Sequence, residues 1–384
     1  MKGAEPYAVA ADFVFDGSAV HRDHAVILEG DAIGGLVPIR EVPVKLPARH
    51  LPEGAWLAPG FIDIQVNGGG DVLFNDMPSV DGIAAIVAAH RPFGTTALLP
   101  TLISDTGDKM RSAATAVGAV MRTTPGVLGI HFEGPFLSPE RAGVHDPAML
   151  RSPTAQDLEF LTAPHAGVRL VTLAPERVPT GFIASLVNAG SRVALGHSMA
   201  TYAETRAALS EGLTGFTHLF NAMRPLASRE PGPIAAALET PGAFYGLIVD
   251  GEHVAPPMLR LALRGRGHAM LVTDAMPPVG GSRTEFTLGA RRVLARGGRL
   301  TTEDGTLAGA ALDMASAVRN CVRLLGLDLP DALRLASAAP AAFLGVADRL
   351  GYLRPGFRAD IVALDPAEIR VLATWVAGEE SPAS

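Results

Sequence analysis

The sequence predicts an α/β fold: a (β/α)8, TIM-like barrel with a small β-sandwich domain formed by both termini. Three observations predict it. Eight apolar runs of strand length recur through the middle of the chain. Amphipathic, Ala-rich stretches of helical character lie between most of them. Both ends read as short strands broken by turns, and neither end holds enough apolar residues for a core of its own.

The elements follow in order. Tyr7–Phe15, Ala25–Leu28 and Val42–Leu46 are β-rich, punctuated by Asp16-Gly17, Gly34-Gly35 and Pro52–Gly54. The eight barrel runs are Phe61–Val66, Thr96–Leu102, Val127–Phe132, Val168–Leu173, Arg192–Leu195, Gly215–Leu219, Phe244–Val249 and Ala269–Thr273. Helical stretches include Val80–Arg91, Lys109–Arg122, Phe182–Ala189 and Tyr202–Ser210. This count, over about 290 residues, matches a barrel in size. A doubly wound parallel sheet is the rival, because periodicity does not report closure. The polar, Gly-rich stretch Gly280–Gly309 then reads as a hairpin, and Asp313–Leu325 as a last helix. Ile361–Leu364 and Val371–Val376 return to strand character. The expected division puts 1–57 and 350–384 in the small β domain and 58–349 in the barrel.

Composition narrows the function. The 384 residues are 48% apolar and 18% charged, which excludes a disordered chain. One cysteine, Cys321, excludes an internal disulfide and a four-cysteine zinc site. A formal charge of −7 argues against nucleic-acid binding, which needs a basic surface. No run reaches the roughly 18 apolar residues of a membrane span. The N-terminal stretch has acidic residues and no clear cleavage site, so a cytoplasmic location is expected. Of the 32 Lys+Arg, only Lys2, Lys45 and Lys109 are lysine.

Barrel enzymes place their catalytic groups at the C-terminal strand ends. The polar residues there are Gln65 and Asn67, His131 and Glu133, His197, His218 and Asn221, Asp250 and His253, and Asp274. Glu133, His197 and His218 have the composition of a catalytic metal site with a position open to water. Asp274 can serve that water as general base. Structural histidines are common at strand ends, so the convergence from separate strands carries the reading. His131 shares a strand face with Glu133 and reads as a buried supporting residue.

A rival motif overlaps this set. Gly196-His197-Ser198-Met199-Ala200 resembles a nucleophile elbow, with Asp250 and His268 following in the order a serine hydrolase uses. The strand count favours His197 over Ser198 as the working residue. Asn67-Gly68-Gly69-Gly70 lacks both the P-loop and the dinucleotide spacing and reads as a tight active-site loop. Arg229 and His253 are anion candidates, with a salt bridge to Glu230 as the plain alternative for Arg229.

Pro59-Gly60-Phe61-Ile62-Asp63, together with the closing Gly351–Asp360, resembles the amidohydrolase superfamily. Within it the chain resembles the N-acetylglucosamine-6-phosphate deacetylases. PGFIDIQVNGGG (59–70), HFEGPFLSPERAGVH (131–145), LGHS (195–198), THLFNAMRPLASREPG (217–232), DGEHV (250–254), VTDAM (272–276) and LAGAALDMASAVRN (307–320) carry the resemblance in family order. It implies hydrolysis of the acetamido group of N-acetylglucosamine 6-phosphate to glucosamine 6-phosphate and acetate. It implies Glu133, His197 and His218 as metal ligands, Asp274 as acid/base, and His145 beside the sugar and the amide oxygen. It also implies Asn221 and Ala222 at the phosphate through their backbone, with His253 and Arg229 as its side-chain partners. Arg229, and in one version His253, would be shared across a homodimer. The superfamily's His-x-His on strand one is here Gln65-Val66-Asn67, two vestigial second-metal positions. Strand four has no lysine to bridge a second ion. One divalent ion per subunit is expected: zinc first, ferrous iron as the alternative. N-acetylgalactosamine 6-phosphate or another N-acyl amino sugar is the alternative substrate. An inactive sugar-phosphate-binding barrel is the alternative of another class.

Overall fold

The computed structural model describes residues 5–382, and they fall into two compact units. One unit holds the chain up to Asp63, His90–Ala97 and the chain from Asp313; the other holds Ile64–Ala89 and Leu98–Leu312.

Eight strands form a single parallel sheet in sequence order: Phe61–Val66, Thr95–Ile103, Gly129–Glu133, Val168–Leu173, Arg192–Leu195, Gly215–Phe216, Phe244–Leu247 and His268–Leu271. The first two are buried at every position. Strands covered on both faces require such unbroken apolar runs. Closure comes just past the strand ends. Val66 bridges Ala275, and the N–H groups of Asn67 and Gly68 both donate to Ala275 O at 2.9 Å. The sheet is therefore a barrel and not an open doubly wound sheet.

The helices Val80–His90, Gly107–Val120, Phe182–Asn188 and Tyr202–Ser210 lie where the sequence puts them, within two residues. Tyr202–Ser210 starts at a capping box, in which Thr201 and Glu204 satisfy each other's backbone N–H groups. The Gly-rich stretch is more than one hairpin: Glu285–Leu288, Arg291–Arg296 and Arg299–Thr302 make a three-stranded antiparallel sheet. Its apolar side chains Phe286, Leu288, Val293 and Leu300 pack with Leu73, Ile103 and Met276.

In the other unit, strands from both termini join one eight-stranded sheet. Tyr7–Phe15 pairs antiparallel with Val20–Glu29. It also pairs parallel with Ala48–His50 and, further along, with Trp56–Pro59. Alternation sorts its side chains: Val9 and Ala11 pack with Leu57, Ile361 and Trp375, and Ala8 and Ala10 with Ala25. Val42–Leu46, expected as a strand, is a turn in which Leu46 N donates to Pro43 O at 2.8 Å. Pro43 and Pro47 have no N–H to give a ladder, so the strand forms at Ala48–His50 instead. Asp313 caps the last predicted helix, which is α-helical over Met314–Asn320 and widens to a π turn over Cys321–Leu325. Cys321 is buried there, and burial pushes its thiol up to about 12. No helix among the described residues is long and apolar enough to cross a membrane.

Candidate active site and metal centre

A cavity of about 460 Å³ opens at the C-terminal strand ends. Asn67, Glu133, His145, His197, His218, Asn221, Ala222, His253 and Asp274 all line it. The backbone leaves the strands abruptly at this rim. His197, His218, Ala222 and Asp274 all adopt positive φ, between 48° and 52° except His218 at 33°. Residues other than glycine hold that conformation only where the surroundings impose it, and such positions cluster at functional sites.

Glu133 ends the third strand and is 2% exposed. Its Oε1 lies 3.1 Å from His197 Nε2 and 3.1 Å from His218 Nε2, and those two nitrogens are 3.1 Å apart. His197 Nδ1 donates to Arg141 O at 2.7 Å. A carbonyl can only accept, so Nδ1 carries the proton and Nε2 is left as a lone pair facing Glu133 and His218. Burial pushes the Glu133 carboxyl up, but the adjoining His197 and His218 rings outweigh it and hold the group well below the usual carboxylate range. Three buried donor atoms of the N and O types thus converge within 4.8 Å. Tetrahedral ligands on bonds of 2.0–2.1 Å sit about 3.3 Å apart, so this set fits one divalent ion.

Asp274 faces the triad. Its Oδ1 accepts from Asn67 Nδ2 at 2.6 Å and from Gln65 Nε2 at 3.2 Å. Gln65 Nε2 also lies 3.2 and 3.3 Å from the two Glu133 oxygens. Gln65 therefore bridges the two carboxylates as a donor, and Asn67 adds a second donor to Asp274. Burial, reinforced by the Glu133 charge, pushes Asp274 up to about 6. That is near the value a group needs to take and return a proton at neutral pH.

His145 stands beside His197, the ring centres 4.4 Å apart. Burial holds it down to about 3, so its ring is neutral. His131 does not reach the cavity. Its Nδ1 meets Thr101 Oγ1 at 3.2 Å and its Nε2 meets Thr172 Oγ1 at 2.8 Å, which ties three strands together beneath Glu133. His253 Nδ1 donates to Asp250 Oδ2 at 2.6 Å, and Asp250 Oδ1 receives the His253 backbone N–H at 2.9 Å. Asp250 thus holds both the ring and the backbone of His253 with its two carboxylate oxygens.

Around Asn221, the backbone N–H already donates to His218 O at 3.0 Å. Ala222 N–H has no such partner among the described residues, and its carbonyl takes Ser198 N–H at 3.0 Å. Arg229 is exposed and is not in the cavity wall. It does not pair with Glu230, whose Oε1 accepts from Tyr202 N at 2.7 Å and Gly232 N at 3.1 Å.

The serine-hydrolase reading does not survive. Ser198 is fully buried and its Oγ donates to Glu176 at 2.7 Å, a carboxylate and not a histidine base. Asp250 is committed to His253, and His268 begins its strand at the end opposite the cavity. Sequence reasoning missed Arg141 and Arg299, which line the cavity, and Ser104, which touches His145. Arg141 lies inside the 131–145 stretch that carries the resemblance, whereas Ser104, directly after the second strand, and Arg299, in the Gly-rich stretch, had only their position as a signal.

The amidohydrolase family profile matches residues 56–382. An N-acetylgalactosamine-6-phosphate deacetylase of Shewanella sp. (strain ANA-3) is 45% identical over 336 residues, 87% of this chain and 84% of its own. An N-acetylglucosamine-6-phosphate deacetylase of Haemophilus influenzae is 33% identical over 378 residues, 97% and 98% of the two chains. The crystal structure of N-acetylglucosamine-6-phosphate deacetylase from Pasteurella multocida superposes with a TM-score of 0.95 at 34% identity, covering 98% of this chain and 100% of that one.

Proposed function

From a chain that belongs to the amidohydrolase family, among its amino-sugar-phosphate deacetylases, we propose hydrolysis of the acetamido group of N-acetylglucosamine 6-phosphate to glucosamine 6-phosphate and acetate. The observation that carries this reading is Asp274, held by Asn67 opposite the Glu133–His197–His218 triad in one cavity. The triad would hold one divalent ion, zinc or ferrous iron. When bound, such an ion supplies Lewis acidity to a water and to the amide carbonyl.

The chain's own groups do the rest. Asp274, with Oδ1 occupied by two amide donors, takes the proton of the attacking water and delivers it to the departing nitrogen. Without that proton the amine is a poor leaving group. His145 stabilises charge growing on the amide oxygen or orients the sugar. His253, held in place by Asp250, and the open N–H of Ala222 suit the 6-phosphate as donors. Arg229, exposed and unpaired among the described residues, suits the phosphate of a neighbouring subunit in a homodimer. A reducing, cytoplasmic location belongs to the same reading.

A second substrate has specific support. The 45% identity is to a deacetylase of N-acetylgalactosamine 6-phosphate, which differs from the first sugar at one carbon. Acetate release from each sugar phosphate, alone and in competition, decides between them, with metal content measured on the same sample. No acetate from either substrate by metal-replete protein overturns the deacetylase reading.

A further inference from the structure

We propose that Ser104 is a positioning residue that fixes His145 as its Nε2–H tautomer, so that the ring offers the cavity a donor and not a lone pair. The proposal rests on the deacetylase reading for its purpose, although not for its geometry.

The backbone N–H of Ser104 lies 3.3 Å from His145 Nδ1, and Ser104 Oγ lies 2.8 Å from the same nitrogen. A backbone N–H can only donate. Nδ1 therefore presents its lone pair to Ser104, and the ring is neutral on geometry alone. A neutral imidazole carries one N–H, so the proton is on Nε2. With Nδ1 turned to Ser104, Nε2 is the nitrogen left for the cavity that His145 lines.

The surroundings hold Ser104 in place. Ile103 is clamped on both sides by Asn75, whose Oδ1 accepts Ile103 N–H at 3.0 Å and whose Nδ2 donates to Ile103 O at 3.1 Å. Gly134, at φ +87°, makes room for the hydroxyl: a Cβ there would fall 2.2 Å from Ser104 Oγ. Ser104 is itself 6% exposed. Two donors on one nitrogen, set by a clamped strand end, leave the other nitrogen as a fixed donor. An amide oxygen becoming an alkoxide needs a donor there, and a lone pair would repel it.

The test begins with 1H–15N spectra of the metal-replete protein labelled at histidine, with His145→Gln used to assign the signal. The proposal expects a neutral His145 with Nε2 protonated. An Nδ1-protonated or doubly protonated ring overturns it. Ser104→Ala keeps the backbone N–H but loses the hydroxyl. It is expected to lower kcat on the order of tenfold, with KM little changed, and to broaden the His145 signal as the ring loses its 2.8 Å anchor, while the remaining backbone N–H keeps Nδ1 an acceptor. Ser104→Thr, which restores a hydroxyl, is expected to recover most of the rate. Full turnover and an unchanged His145 signal in folded Ser104→Ala overturn the role of the side chain. If the wild-type protein releases no acetate from either sugar phosphate, the deacetylase reading fails while the spectra still decide the tautomer.

Discussion

Asn67 Nδ2 donates to Asp274 Oδ1 across 2.6 Å. The contact joins the end of the first barrel strand to the end of the eighth, where the barrel closes. It gives a present use to a position that the superfamily pattern reads as a lost metal ligand. Asn67→Leu removes the donor and touches none of Glu133, His197 or His218. Its kcat is expected to fall roughly tenfold to a hundredfold with the bound metal unchanged. Loss of the metal along with the rate would show that Asn67 supports the triad instead.

Asp274 itself gives the sharper result. Asp274→Asn keeps the shape and a hydrogen-bonding amide, but it cannot take a proton from water. Turnover is expected to drop on the order of 10²–10⁴-fold while metal analysis stays at one ion per subunit. Near-normal turnover in that variant removes the acid/base assignment.

Stability should show a separate pH signature outside the cavity wall. Asp157 opens the helix Ala155–Thr162 as the acidic arm of a capping box and takes Arg151 Nη2 on Oδ1 at 2.6 Å. Burial works against the charged form, but hydrogen bonds from Arg151 and Thr154 outweigh it and hold the carboxyl down to about 2. A folded value below the unfolded one stabilises the protein above the unfolded value and loses that effect as pH falls through the folded value. Asp157→Ala is therefore expected to cost about 1–2 kcal/mol near pH 7. The gap to wild type should narrow as pH falls from 5 towards 2, read as urea midpoints across that range. A gap independent of pH would mean that the ionised form is not what matters.

These features differ in how far the sequence reveals them. The barrel is legible because Phe61–Val66 and Thr95–Ile103 are buried on both faces, and such runs need no partner to be recognised. The convergence of Glu133, His197 and His218 is legible because strand ends face the barrel mouth and these three are the ligand-type residues there that share one short reach. Val42–Leu46 is misread because its apolar residues outvote Pro43 and Pro47, whose missing N–H groups forbid the ladder. Ser104 and Arg299 are not legible at all. A serine after a strand and an arginine in a Gly-rich stretch are ordinary, and only the fold brings Ser104 to a histidine 41 positions away. The same limit separates the two roles of Gln65 and Asn67. Their types exclude strong metal ligation, but only the fold brings them to donate to carboxylates.

Arg229 carries the one prediction that needs two subunits. Its guanidinium is exposed, has no carboxylate partner among the described residues and lies outside the cavity wall of its own chain. Glu230, the obvious partner, is occupied with backbone N–H groups on the helix starts at Tyr202 and Gly232. If Arg229 serves a neighbour's phosphate, Arg229→Ala raises KM for the phosphorylated sugar by on the order of tenfold or more and leaves N-acetylglucosamine nearly untouched. Mixing gives the stricter test. An Arg229→Ala subunit keeps Asp274, and an Asp274→Asn subunit keeps Arg229. A mixed dimer therefore assembles one complete site from two defective chains. With random exchange half the dimers are mixed, so at substrate well below the KM of the Arg229→Ala variant activity should recover to about a quarter of wild type. No recovery in a sample shown to exchange subunits would place Arg229 outside its neighbour's site.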